Sequence, residues 1–137
     1  MSSTDDIDWD ALRSAARAMT QRSYAPYSGV HVGAAGLTVD GRQVSGCNVE
    51  NASYGLTQCA ECSLVADLVA GGGGRLRAVV TVAGDGAPIA PCGRCRQVLY
   101  EFGGADLLIE GPDGVLSLSE LLPWAFGPDD VDARRTR

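Results

Sequence analysis

Two short stretches, Thr57-Gln58-Cys59-Ala60-Glu61 and Pro91-Cys92-Gly93-Arg94-Cys95, constrain this chain more than any other part of it. Each sets cysteine beside residues that suit the start of a helix. Three thiolates fill three corners of a tetrahedral zinc site and leave the fourth to water, the arrangement of a catalytic rather than a structural zinc. Any fold of the chain must then bring two distant helix starts together. A helix start also turns backbone N–H groups and the positive end of the helix dipole toward the ion, which stabilises thiolate charge. Glu61, two residues past the first cysteine, is a carboxylate placed to move protons to and from the fourth position.

The rest of the composition narrows the partners. A length of 137 residues fits one domain with a real core, and 45% hydrophobic with 20% charged residues is ordinary for a globular protein. A net charge of −6 argues against a polyanion, because nucleic-acid binding needs clustered positive charge to displace counterions. All 11 basic residues are arginine, which excludes Schiff-base chemistry and the lysine of a phosphate-binding loop. The polar, acidic start Met1-Ser2-Ser3-Thr4-Asp5-Asp6 is wrong for a secretory signal, and no apolar run approaches the roughly 18 residues of a membrane span. Five cysteines is an odd count. Reduced thiols in a cytoplasm, or thiols held by metal, fit better than a disulfide framework.

Along the chain, Trp9, Leu12, Ala16 and Met19 predict an amphipathic helix over residues 8–22, which Pro26 and Gly29 end. A strand from Val30 to Val39, a turn at Asp40-Gly41 and a return strand from Arg42 to Cys47 read as a hairpin. The segment Asn48–Gly55 is too polar for a core strand and is expected to line something. Thr57 is predicted to cap a helix from Gln58 to Ala70, stopped by Gly71–Gly74. Leu76–Ala83 reads as a strand buried on both faces, followed by a helix from Cys92 to Phe102. Strands at Asp106–Glu110 and Val115–Leu118 flank a Pro112-Asp113-Gly114 turn, and Ser119 is expected to cap a last short helix. One domain over residues 1–137 follows, with an ordered core of about 8–128 and a tail from 129 that frays. Strands alternating with helices give an α/β fold, a sheet covered on both faces.

Other readings of the cysteines compete. Cys47 reads as a buried apolar filler. Cys59-x-x-Cys62 with Cys92-x-x-Cys95 could close a four-cysteine structural zinc site, although residues 63–91 make a longer spacer than the roughly 15–20 residues of such ribbons. A redox dithiol at Cys92-x-x-Cys95 needs a thioredoxin-like context that this order of elements lacks. Three thiolates and a hydroxide on zinc leave excess negative charge, and Arg94 and Arg96 are placed to donate to the sulfurs. They could equally form a solvated helix face. His31, the single histidine, reads as a structural residue on a strand.

Cys59-Ala60-Glu61 followed by Pro91-Cys92-x-x-Cys95-Arg96-Gln97 resembles the active-site pattern of the zinc-dependent cytidine deaminases. Tyr24-Ala25-Pro26-Tyr27-Ser28, Val32-Gly33-Ala34-Ala35, Gly46–Tyr54 and Glu120-Leu121-Leu122-Pro123 resemble its small homotetrameric free-nucleoside branch, in order over about residues 8–128. The resemblance implies a three-layer α/β/α domain with a central mixed β-sheet of about five strands. It implies one Zn2+ per subunit on Cys59, Cys92 and Cys95, with Glu61 relaying protons between a zinc-held water and the base. It places Asn48 and Glu50 on the ribose hydroxyls, Ala60 in the substrate pocket, and Tyr54 and Phe126 at the pocket of a neighbouring subunit. The implied reaction is hydrolytic deamination of cytidine and deoxycytidine in cytoplasmic pyrimidine salvage, with no nucleic-acid or membrane partner. A deaminase of a cytosine-containing antibiotic, of the blasticidin-S type, shares the cysteine pattern; the Asn48-Val49-Glu50-Asn51 segment favours a ribose substrate. A non-enzymatic zinc module would have no use for Glu61, and the acidic balance disfavours a polynucleotide editor. Two positions depart from the family pattern. Cys62 stands where many members have an arginine, and Val30 stands where many have a phenylalanine.

Overall fold

A computed structural model describes residues 6–135. A five-stranded sheet, in the order β2-β1-β3-β4-β5, divides the molecule. Its strands are β1 (Gly33–Thr38), β2 (Gln43–Cys47), β3 (Leu76–Val82), β4 (Leu108–Gly111) and β5 (Gly114–Ser117). The sheet is mixed: β3 runs parallel to β4, and every other neighbouring pair is antiparallel. Helix α1 (Trp9–Thr20) covers one face, while α2 (Ala60–Ala70) and α3 (Gly93–Gly103) cover the other, with the short α4 (Leu118–Leu121) and α5 (Pro128–Asp132) following.

Alternation along the strands builds both layers. Ala35, Ala78, Val80 and Val82 meet Leu12 and Ala16 of α1. Ala34 and Val79 meet Leu64, Val65 and Leu68 of α2 and Leu99 of α3. The small residues of β1 let helices close in from both sides. Gly46 on β2 matters most for the site, because a Cβ there would lie 2.6 Å from the Ala60 carbonyl and 2.8 Å from the Ser63 carbonyl carbon. The first turns of α2 therefore rest directly on the backbone of β2. Ser45 N–H donating to Asp67 at 3.0 Å and Arg42 donating to the Gly71 carbonyl at 2.8 Å extend that grip along the helix.

Several predicted boundaries move, each for a local reason. β1 begins at Gly33 rather than Val30, because Asn48 bonds the backbone of residues 30–32 and takes it out of strand pairing. His31 therefore lies off the strand, exposed and hydrogen-bonded to Ser23. The cap of α2 is Cys59, not Thr57, because Gln58 is held in a bridge with Val49. Ser117 rather than Ser119 caps α4, its N–H donating to Glu120. The segment expected to fray from 129 includes α5, which opens with Pro128 and carries Asp129 and Asp130 in its first turn. Thr136 and Arg137, at the end of that segment, lie outside the described residues.

Candidate active site

The C-terminal end of β3 directs the site. After Val82 the chain loops back, with Ile89 N–H donating to the Thr81 carbonyl at 2.8 Å, so Pro91 and Cys92 arrive over the start of α2. Cys59 is the N-cap of α2 and Cys92 the N-cap of α3, both in extended conformation. Two helix N-termini thus converge, with Cys95 one turn into the second. The sulfurs of Cys59, Cys92 and Cys95 lie within 4.8 Å of one another. A tetrahedral zinc with Zn–S bonds of about 2.3 Å needs sulfurs about 3.8 Å apart, so this triangle and its soft donors fit the ion. Cys62 stays outside the group, which leaves the four-cysteine alternative without its fourth ligand among the described residues. Cys47 is half-buried at the end of β2.

Glu61, in the first turn of α2, is 4% exposed. Burial raises its carboxyl above the ordinary range, and contacts with its own backbone, Thr81 and Cys95 only partly offset that. A carboxyl that resists ionisation beside three sulfurs is poised to hold a proton and to give it up. The thiols are unequal. Burial pushes Cys59 and Cys95 up, whereas at Cys92 burial is outweighed by hydrogen bonds from the Cys95 backbone and from the Cys95 and Cys59 thiols.

Arg94 and Arg96 do not reach the sulfurs. Arg94 donates to the Thr57 carbonyl at 3.4 Å, and Arg96 to the carbonyls of Pro91 and Leu121, each at 2.9 Å. The two helix N-termini set the positive ends of their dipoles at the cluster. Thr81 beside Glu61 went unnoticed in the sequence, where it is one β-branched residue in a strand.

A cavity opens over the cluster, lined by Asn48, Cys59, Ala60, Glu61, Thr81 and Cys92 among others. A second, sharing Thr57 with it, is lined by Tyr27, Ser28, Glu50, Asn51, Tyr54 and Thr57. Asn48 and Glu50, both placed on the ribose hydroxyls by the resemblance, line different cavities. Asn48 is nearly buried, accepting from Val32 N–H at 2.9 Å and donating to the Val30 carbonyl at 2.8 Å. Glu50 accepts from the N–H groups of Tyr27 and Ser28 and from the Ser28 hydroxyl. That hydroxyl is the chief cause holding Glu50 below the usual carboxylate range. Ser28 is thus a second residue whose part only the structure reveals. Tyr54 packs edge-on against Tyr27, ring centroids 5.9 Å apart. Phe126 lies elsewhere, lining a groove with Gln97 and Glu101 of α3.

Residues 8–110 match the model of the cytidine and deoxycytidylate deaminase zinc-binding region. The chain belongs to this deaminase family. A cytidine deaminase of Mycobacterium tuberculosis is 55% identical over 130 residues, 95% of this chain and 98% of that one. A cytidine deaminase of Halalkalibacterium halodurans is 42% identical over 115 residues, covering 80% and 87%. Among solved structures, the cytidine deaminase from Mycobacterium leprae superposes with a TM-score of 0.85 at 57% identity, covering 86% of this chain and 99% of that one. The Mycobacterium tuberculosis enzyme gives 0.87 at 56%, covering 89% and 99%. The mixed sheet with helices on both faces is thus the family fold, and the Cys59, Cys92 and Cys95 cluster suits the zinc for which the family is described.

Proposed function

We propose that the enzyme hydrolyses cytidine and deoxycytidine to uridine and deoxyuridine with release of ammonia. The observation that carries this reading is the buried Glu61 set beside three converging cysteine sulfurs under one cleft. Bound by Cys59, Cys92 and Cys95, zinc supplies Lewis acidity that brings the pKa of water toward 7. Glu61 takes a proton from the attacking water at a carboxylate oxygen and delivers it to N3 of the base. The water oxygen bonds C4 as N3 gains that proton. Glu61 then takes the second proton from the new C4 hydroxyl and passes it to the amino group, so the C4–N bond breaks with its electron pair on nitrogen, ammonia leaves and C4 keeps a carbonyl. Ala60 and Thr81 close the cavity around that carboxyl and keep bulk water away from it.

The sugar faces Glu50 in the outer cavity and Asn48 in the cavity over the cysteines. Asn48 has spent one donor and one acceptor on the 30–32 backbone, so one of each remains for a ribose hydroxyl. Neither cavity is lined by arginine or histidine, and Glu50 adds negative charge, which favours a free nucleoside over its phosphate. Tyr24, Tyr27, Val30, Val49, Tyr54 and Leu56 are all exposed apolar groups, as an interface between subunits would require. On this reading the chain is one domain that works as a homotetramer in the cytoplasm, where Cys47 and Cys62 stay reduced and the other three cysteines hold zinc. Tyr54 and Phe126 complete a neighbour's pocket.

Ammonia release from cytidine, deoxycytidine, deoxycytidine monophosphate and blasticidin S, compared at equal concentration, tests the proposal. Turnover of the two nucleosides alone is expected. Preferential turnover of the monophosphate or the antibiotic overturns the substrate assignment.

A further inference from the structure

Arg96, bonded to carbonyls rather than to the sulfurs, ties two segments together. The guanidinium of Arg96, one residue past Cys95, bonds Pro91 immediately before Cys92 and, with its other edge, Leu121 at the end of α4. A guanidinium is a rigid planar fork, so it fixes the spacing between the carbonyls it bridges. The next residue, Gln97, donates to the Phe126 carbonyl at 2.7 Å. One turn further on, a Cβ on Gly127 would lie 2.6 Å from Tyr100 Cε2, so the backbone at 127 runs flush against that ring. All three anchors of residues 121–127 come from the first turns of α3, the helix that carries two of the cysteines.

Between the anchors stands Trp124, fully exposed and the only non-glycine residue with positive φ (54°) among those described. A bulky side chain adopts that conformation only where its surroundings hold the backbone firmly on both sides. Nothing holds Trp124 through its own side chain. The backbone on either side of it is held by Arg96 at 121 and by Gln97 and Tyr100 at 126–127.

We propose that Arg96 and Gln97 are positioning residues that couple the metal loop to the C-terminal segment. Metal on the cysteines fixes the Pro91-Cys92 loop, Arg96 carries that order to Leu121, and Gln97 carries it to Phe126. Coupling between two equilibria is reciprocal, so a loosened C-terminal segment must also weaken metal retention. The inference rests on the reading that Cys59, Cys92 and Cys95 hold zinc.

The chain has two tryptophans, so a Trp9→Phe protein reports from Trp124 alone. Its zinc content, zinc release to a chromogenic chelator and Trp124 fluorescence anisotropy are measured together. Chelation is expected to lower the anisotropy, and zinc return to restore it. In the same background Arg96→Met is expected to lower anisotropy with zinc still bound and to weaken metal retention about tenfold, the lower range for outer-shell partners of a metal site. Gln97→Ala, at an exposed position, loosens Trp124 with a smaller effect on zinc. If Arg96→Met does not fold, Arg96→Lys and the chelation experiment on the Trp9→Phe protein decide. Anisotropy unchanged on full removal of zinc overturns the coupling while leaving the metal site intact. A folded protein that holds no zinc overturns the metal reading and the coupling with it.

Discussion

The floor of the cleft and its rim differ in how firmly their side chains are held. On the floor, Ala60, Glu61 and Cys95 are buried, and their positions follow from two helix starts locked against the sheet. On the rim, Tyr27 is 50% exposed and Tyr54 75%, and Phe126, away from this cleft but proposed to enter a neighbour's, is 59% exposed. Proton transfer and metal binding need fixed short distances, and one chain supplies them. A flat base needs apolar surface on both sides, and one chain leaves that surface open. On the proposed reading, chemistry in this fold is intrachain and recognition is completed by association.

The sharpest test of the floor compares two cysteines three residues apart on α2. Cys59→Ser is expected to lose zinc and activity together, while Cys62→Ser keeps one zinc per chain and appreciable turnover. Metal analysis showing equal loss in both would restore a four-cysteine site. Glu61→Gln follows, expected to retain fold and zinc while kcat falls by at least about 100- to 10,000-fold, the usual range for general acid–base catalysis. Near-normal turnover would remove Glu61 from the mechanism.

The rim predicts smaller effects that appear in KM. Aromatic stacking on a base is worth about 1–3 kcal/mol, so Phe126→Ala should raise KM for cytidine about tenfold in a tetramer. An unchanged KM, or a fully active monomer by light scattering, would make the rim self-sufficient. Smallest of all, Val30→Phe puts a ring back on the open side and should lower KM about threefold, as an added aromatic contact of about 0.5–1.5 kcal/mol allows. A raised KM would mean that Val30 does not face the base.

The same division governs what could be read from sequence. The floor was legible because its chemistry is written in residue type and spacing: Cys59, Glu61, Cys92 and Cys95 needed only helix starts to converge. The order of strands and helices was legible for the same reason, from apolar period and glycine breaks. Helix starts were displaced where a residue had a backbone partner outside the helix, as Gln58 has in Val49. Arginine roles were not legible. Position along the chain sets Arg94 and Arg96 near the cysteines, but their donors went to backbone carbonyls that only the packed structure brings within reach. The helix at Pro128 did leave a signal, proline at its first position followed by two aspartates, outweighed by the charged composition around it.

The strand order has a consequence for how the chain is assembled. β3 is the middle strand, paired on one side with β1, far earlier in sequence, and on the other with β4 through the crossover that contains α3. Both closures are non-local, and closing long loops precedes any reward from the contacts they make. Until β3 has found both neighbours, Cys59 and Cys92 belong to separate, wandering segments. A nascent chain therefore presents lone thiols to its surroundings, and metal capture belongs to the last stage of folding. From then on the ion binds only the native state and draws the folding equilibrium toward it.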